Sequence, residues 1–357
     1  MTSEAFDQAK ADTFGNRMLR VLNDSFLGLM CSVGHHTGLF DTMANLAPST
    51  SGQIASASQL NERYVREWLG AMVTGGVVDY RPGDATYILP PEHAQSITRT
   101  AGADNIAFYT AYLSVLGSTE NQLIECFRNG GGVPYSSFPG FQPLQAEETA
   151  MGHEATLIDS ILPLVPGIVP RLQSGIQVAD IGCGQGHSLL MMAQAFPNSK
   201  FTGYDLSETG IAAARAEAGS LGVSNASFEL VDVATLRGRT QYDLITTFDV
   251  VHDLAQPAVV LKAIADLLNP GGAYLMVEFA ASSNLEENME NILGPTLYAI
   301  SVMYCMTTSL AYEGAGLGTM WGEQLARQYL ADAGFGEVQV KQMEGDPLHN
   351  YFIASKG

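Results

Sequence analysis

The chain has 357 residues, 46% of them apolar, and carries 17 Lys plus Arg against 37 Asp plus Glu, a formal net charge of −20. That apolar fraction supplies a core and excludes wholesale disorder, and the length fits two domains at about 100–200 residues each. The acidic excess argues against a nucleic-acid binder that tracks phosphates and against docking on an anionic membrane surface.

The first residues, MTSEAFDQAKADTF, fit neither a secretory signal nor an Arg-rich transit peptide, and no apolar run approaches the roughly 20 residues of a bilayer span. Residues 14–47 carry apolar positions at helical spacing. A helix is expected over about 60–74, with Tyr64, Trp68, Leu69, Met72 and Val73 on one face and Gly75-Gly76 as its stop. Val77–Tyr80, the turn Arg81-Pro82-Gly83-Asp84 and Thr86–Leu89 then read as a β-hairpin, so that helices are followed by a wing. Residues 129–143, dense in Gly, Pro and Ser, mark the clearest break. The expected organisation is a front domain over 1–128, a connector over 129–149 and a second domain over 150–357.

From 176 onward strands and helices alternate: Ile176–Ile181, His187–Phe196, Phe201–Leu206, Glu208–Leu221, Phe228–Val231, Leu244–Phe248, Ala258–Leu268 and Ala273–Glu278. Such alternation implies an α/β fold with a mostly parallel, doubly wound sheet, and Val338–Lys341 with Tyr351–Ala354 closes it as an antiparallel pair. Cys31, Cys126, Cys183 and Cys305 include no CxxC pair, which excludes a zinc ribbon or disulfide scaffold and suits a cytoplasmic location.

The sharpest signal is Val178-Ala179-Asp180-Ile181-Gly182-Cys183-Gly184-Gln185-Gly186-His187. Three alternating glycines between a strand and a helix let a ligand approach the backbone, and the helix start favours an anionic group. Asp205, at the end of the next strand and followed by Leu206, is placed to accept hydrogens from a ribose diol. Both features also suit a dinucleotide. The pattern D-x-G-x-G-x-G, a second acid in Leu230-Val231-Asp232-Val233, and the turn Leu268-Asn269-Pro270-Gly271-Gly272 narrow the choice.

With these four ordered motifs the sequence resembles the class I S-adenosylmethionine-dependent methyltransferases over roughly residues 150–357. The resemblance implies a Rossmann-like, seven-stranded methyltransferase domain whose last strand is antiparallel, with S-adenosylmethionine as methyl donor. It places Gly182, Gly184 and Gly186, with Asp180 ahead of them, at the methionine moiety. Asp205 and Leu206 fall at the ribose, Asp232 and Val233 at the adenine, and Phe248 beside the cofactor. The front half, with Arg63–Leu69, Val77–Tyr80 and Tyr87–Ala94, resembles the winged-helix domain of a bacterial methyltransferase family best known from mycobacteria. More loosely, it is similar to the dimerisation domain of plant-type small-molecule O-methyltransferases. This implies a mainly helical front domain, a homodimer and a small-molecule acceptor. A winged helix also invites a DNA-binding reading, but Glu62 and Glu67 neutralise Arg63 and Arg66 on the candidate recognition helix.

An oxygen nucleophile needs its proton removed, most often by histidine. His252, in Phe248-Asp249-Val250-Val251-His252-Asp253-Leu254, follows the fourth sheet strand and matches the general base of plant-type O-methyltransferases, although Leu254 stands where those have tryptophan. A cofactor-side or structural histidine is the alternative reading of this position. By the same resemblance Glu278 steadies the histidine, while Asp253 is read as a helix cap or a ring orienter. No clustered ligand set points to a metal. Tyr135 in the connector and Met303, Met306 and Trp321 in the Met- and aromatic-rich segment 298–321 are expected to line an adaptable acceptor pocket, ordinary core being the alternative. Two chemistries stay open, O-methylation with a base and S-methylation of a thiol or thioether without one, beside a non-catalytic cofactor-responsive regulator.

Overall fold

The computed structural model describes residues 6–236 and 241–356. These form two compact units divided in the chain between Val115 and Leu116, earlier than the expected boundary at 128.

In the first unit, Asp7 opens α1 (Gln8–Thr37) by accepting the N–H groups of Ala9 and Lys10, and Gly38 closes it in the left-handed conformation. After α2 (Leu39–Ala44), a capping box between Thr50 and Gln53 starts α3 (Ser51–Ser58), and Asn61 starts α4 (Glu62–Thr74). Val65, Trp68, Leu69 and Met72, at i, i+3, i+4 and i+7, form the buried face of α4 and pack on Phe40 and Ile54. Tyr64, expected on that face, is 80% exposed, because it lies a residue off the stripe. The wing is the antiparallel pair β1 (Asp79–Arg81) and β2 (Thr86–Ile88), with Tyr80 opposite Tyr87.

The second unit is built on seven strands: β3 (Gln177–Ile181), β4 (Lys200–Asp205), β5 (Ala226–Leu230), β6 (Tyr242–Phe248), β7 (Leu268–Phe279), β8 (Phe335–Met343) and β9 (Asp346–Lys356). Their order is β5-β4-β3-β6-β7-β9-β8. The first five are parallel, and β9, the last in the chain, is antiparallel to both its neighbours, as expected. Alternate residues feed two cores: Val178, Phe201 and Leu244 face one helical layer, Ile181, Ile245 and Tyr274 the other.

Two boundaries differ from the sequence-based expectation. A helix spans Phe141–Thr156, beginning inside the expected connector, because burial of Phe141 and Leu144 outweighs the Pro- and Gly-rich start. β7 begins at Leu268, since Leu268 already pairs with Tyr242 and a bulge absorbs the Pro-Gly-Gly turn. Parallel strands carry their loops to one end, so the segments after β3, β4, β5, β6 and β7 share one rim.

Candidate active site

β3 runs into Gly182–Gly186 and then the helix His187–Ala195. The loop is tied to the neighbouring strand: Gly182 and Cys183 donate their N–H groups to the Tyr204 carbonyl at 2.8 and 3.1 Å. Two glycines have different reasons to be there. At Gly186 (φ 78°) a Cβ would lie 2.5 Å from the Phe228 ring and 2.9 Å from Ala214, so the residue serves packing. At Gly184 (φ 52°) a Cβ would meet nothing within 4 Å, so the loop presents an open backbone face.

Asp205 belongs to the same construction. Its Oδ2 accepts the Gly184 N–H and its Oδ1 the Ser207 N–H, each at 2.7 Å. The carboxylate is half-buried and keeps lone pairs for a diol. Leu206 beside it is 67% exposed, an apolar surface that a flat ring would cover. Val233 is buried, and Asp232 is exposed and caps its own turn, its Oδ1 accepting the Ala234 N–H at 2.9 Å. Asp180 is buried, with Oδ1 2.7 Å from the Thr246 hydroxyl; burial, with Asp205 nearby, pushes its carboxyl up to about 7. Phe248 is half-buried, its ring edge-on to His153 at 4.7 Å between centroids. Open glycine backbone, an accessible acid and an exposed apolar neighbour together fit a nucleoside laid along the rim.

On the other side of β3, β6 ends in the short turn Val251–Asp253, where His252 is 2% exposed. Its Nδ1 lies 2.6 Å from Oε2 of Glu278, which comes from β7 and is 1% exposed. Glu278 also accepts the Val251 N–H at Oε1 (2.8 Å) and the Trp321 indole N–H at Oε2 (3.2 Å). Three donors fix this carboxylate, and it fixes the ring. Burial alone would lower the His252 imidazole; the Glu278 charge, then the Cys305 sulfur, outweigh it and hold the group well above its ordinary value. Cys305 closes a single π-turn, Ser301–Cys305, and its sulfur lies beside the His252 ring.

Asp253 does not cap the following helix. That helix begins at Pro257 with Gln256 at its N-cap, because proline is suited to a first helical position. Of the expected pocket residues, Tyr135 stacks on Tyr312 (5.7 Å) and lies edge-on to Tyr304 (5.9 Å), while its hydroxyl donates to the Asp253 carbonyl at 3.4 Å. Met303 is half-buried in the π-turn. Met306 opens onto an outer groove with Leu123, Phe127 and Leu310. Trp321 is buried in the core and meets the site through its hydrogen bond to Glu278.

Three participants were not legible in the sequence. Cys305 meets His252 from 53 positions away in the chain. Asp249 and His349 pair at 3.3 Å across the end of β7. The D-x-x-H spacing of Asp346 and His349 was visible, but nothing in it pointed to Asp249.

Strand order, glycine loop and rim acids define the class I methyltransferase fold. Comparison with known families agrees: residues 172–338 match the family described as a methyltransferase domain, and residues 25–99 the one described as an Rv2258c-like winged HTH domain. The chain thus joins a winged-helix front region to a methyltransferase domain. Among curated relatives, the ubiquinone biosynthesis O-methyltransferase of Shewanella pealeana is 32% identical over 141 residues, 38% of this chain and 58% of that protein. The chain thus spans little more than half the length of the first curated relatives it matches. Human N-acetylserotonin methyltransferase, solved in complex with SAM, aligns over 100% of this chain and 99% of its own, with a TM-score of 0.70 and 18% identity. The mitomycin 7-O-methyltransferase MmcR aligns over 98% and 100%, with a TM-score of 0.73 and 15% identity. At these identities the likeness is one of fold.

Proposed function

We propose that the protein transfers a methyl group from S-adenosylmethionine to a hydroxyl of a small acceptor, with His252 as general base and Glu278 as its orienting acid. The observation that carries this reading is the buried His252–Glu278 pair, 2.6 Å apart, at the strand ends next to the glycine loop. The relatives named above as O-methyltransferases support oxygen as the nucleophile.

Bound S-adenosylmethionine supplies an electrophilic methyl carbon. The chain's own part is to place the acceptor in line with it and to remove a proton. Asp205 takes the ribose hydroxyls, Asp232 and Val233 border the adenine, and Gly184 admits the amino-acid side. Glu278 holds Nδ1 of His252, which leaves Nε2 to take the acceptor proton. Bringing oxygen and methyl carbon to about 3–3.5 Å in line supplies several kcal/mol of the barrier reduction.

We read the reaction as metal-free. Asp249, His252 and Glu278 offer ligand atoms within 4.8 Å of one another, yet both Glu278 oxygens are committed to Val251, His252 and Trp321. Nucleic acid is not part of this reading, because the α4 arginines are paired on their own helix, Arg63 with Glu67 and Arg66 with Glu62. Nor is a membrane: among the described residues no single helix is long and apolar enough to cross one. We infer a homodimer from Phe14, Met18, Leu22 and Phe26, which leave an exposed apolar stripe along α1.

The test is incubation with labelled S-adenosylmethionine and a metabolite extract, followed by identification of the methylated product. His252→Ala is expected to lose turnover by about 10²-fold or more while binding S-adenosylhomocysteine nearly as tightly as wild type. Full turnover by His252→Ala would remove the base and favour a thiol or thioether acceptor.

A further inference from the structure

Just past β6, Asp249 adopts φ of 54°, the left-handed region. Aspartate visits that region more readily than most residues, but a fixed position there needs surroundings that hold it. Here the hold is visible. The Asp249 N–H donates to the Val277 carbonyl at 3.0 Å. Its Oδ2 lies 3.3 Å from Nε2 of His349, and Nδ1 of the same ring lies 2.9 Å from Oδ2 of Asp346. The Tyr351 hydroxyl donates to Asp346 in turn. An acid at each nitrogen makes His349 an imidazolium. Burial alone would raise the Asp249 carboxyl, but the charge of His349, then its hydrogen bond, keep it below its ordinary value.

One oxygen of this ionised carboxylate is therefore anchored. The other, Oδ1, is buried and has no hydrogen-bond partner. A buried carboxylate oxygen without a donor is costly, and in a binding site such an atom points to a ligand. Its position says which part of the ligand. Along the rim the order is β5, β4, β3, β6, so Asp232, Asp205, the glycine loop and Asp249 follow one another. A nucleoside with its adenine at Asp232 and its ribose at Asp205 sends its amino-acid end past the loop toward Asp249.

We propose that Oδ1 of Asp249 receives the α-ammonium group of the methyl donor, a binding contact that fixes the amino-acid end beside His252. The inference rests on the donor assignment made above. Asp180 is the weaker candidate for this group, because the Thr246 hydroxyl already occupies its Oδ1 at 2.7 Å. A carboxylate and an ammonium form the stronger, charge-assisted kind of hydrogen bond.

The experiment is calorimetry with S-adenosylhomocysteine and with its des-amino analogue, in which hydrogen replaces the α-ammonium. Wild type is expected to bind the analogue about tenfold or more weakly. Asp249→Gly, which suits the backbone conformation, and the isosteric Asp249→Asn are expected to bind S-adenosylhomocysteine about as weakly as wild type binds the analogue, with the difference between the two ligands largely gone. Equal weakening toward both ligands, or full discrimination kept by the variants, overturns the proposal. Absence of any S-adenosylhomocysteine binding by wild type sinks the donor assignment itself, and this contact with it. Manganese binding to the ligand-free protein that Asp249→Gly abolishes replaces the ammonium with a metal ion.

Discussion

His252, in the turn after β6, and Glu278, on the adjacent parallel strand β7, share a buried hydrogen bond, while Trp321, at the end of the 298–321 segment, donates to the same carboxylate. The imidazole therefore has one tautomer and one orientation before any ligand arrives. Preorganisation of this kind removes the cost of aligning the base during the reaction.

Glu278→Gln tests it. As a base, His252 works in its neutral form, so wild-type kcat/KM is expected to rise with pH through a value above the ordinary histidine range of about 6.5. In the variant the carboxylate charge is gone and burial dominates, so the inflection moves to lower pH and kcat falls by about one to two orders of magnitude. The raised histidine also contributes stability that is complete below its ordinary value and is lost as pH rises through the folded one. Wild type should therefore lose stability relative to Glu278→Gln on alkalinisation. An unmoved inflection in the pH–rate profile would show that the pair does not govern the base.

Asp180 shifts in the same direction, through burial and not through a partner's charge. Its carboxyl is pushed up to about 7 by burial, so between the unfolded value and 7 the folded chain binds the extra proton and stability falls as pH rises. Asp180→Asn keeps an oxygen for the Thr246 hydroxyl. It is expected to raise the stability of the ligand-free protein above pH 7 by up to a few kcal/mol, with little change below about pH 4. Thermal melts at pH 4 and pH 8 read this directly, and equal melting of the two proteins at pH 8 would refute it.

Gly184 and Gly186 separate ligand space from packing space. Gly184→Ala meets no neighbour within 4 Å and carries only the left-handed backbone penalty, about 1–2 kcal/mol. Its methyl group projects into the open face, so S-adenosylhomocysteine affinity is expected to drop about tenfold or more. Gly186→Ala adds a clash with Phe228 and Ala214 to the same penalty, and its stability loss is expected to be larger by about 1–3 kcal/mol. Melting temperatures and calorimetry together should give opposite rankings for the two variants. A single shared ranking would mean that Gly184 does not face the ligand.

The sheet was legible because parallel strands buried on both faces read as short apolar runs, and the glycine loop because its spacing is dictated by backbone geometry. Asp205, Glu278 and His252 could be placed because each stands at a strand end, a position that sequence order alone supplies. Side-chain direction could not be read this way. Tyr64 and Trp68 are four residues apart, yet one is exposed and the other buried, because the stripe is centred on Val65, Trp68 and Met72. The partners of His349 and Cys305 depend on which loops meet over the sheet, and pairings such as Asp249 with His349 span a hundred residues of chain. Trp321 was read as pocket lining for the same reason: composition marks an aromatic segment, while the strand it faces decides that its indole serves Glu278.

Helix α1 presents Phe14, Met18, Leu22 and Phe26 at intervals of four residues, each at least 46% exposed. A broad apolar stripe left in water on a long helix suits a partner surface, since large contiguous apolar patches are uncommon on monomers. Two copies related by a twofold axis can bury the same stripe against each other. Sedimentation at micromolar concentration is therefore expected to give twice the mass of one chain, and the double variant Phe14→Asp with Leu22→Asp the mass of one. Each substitution puts a charge into the proposed interface while leaving the Trp68 core of the same unit untouched, so the variant should keep its helical content. A single-chain mass for the unmodified protein, or an unchanged dimer for the variant, would place the pairing surface elsewhere.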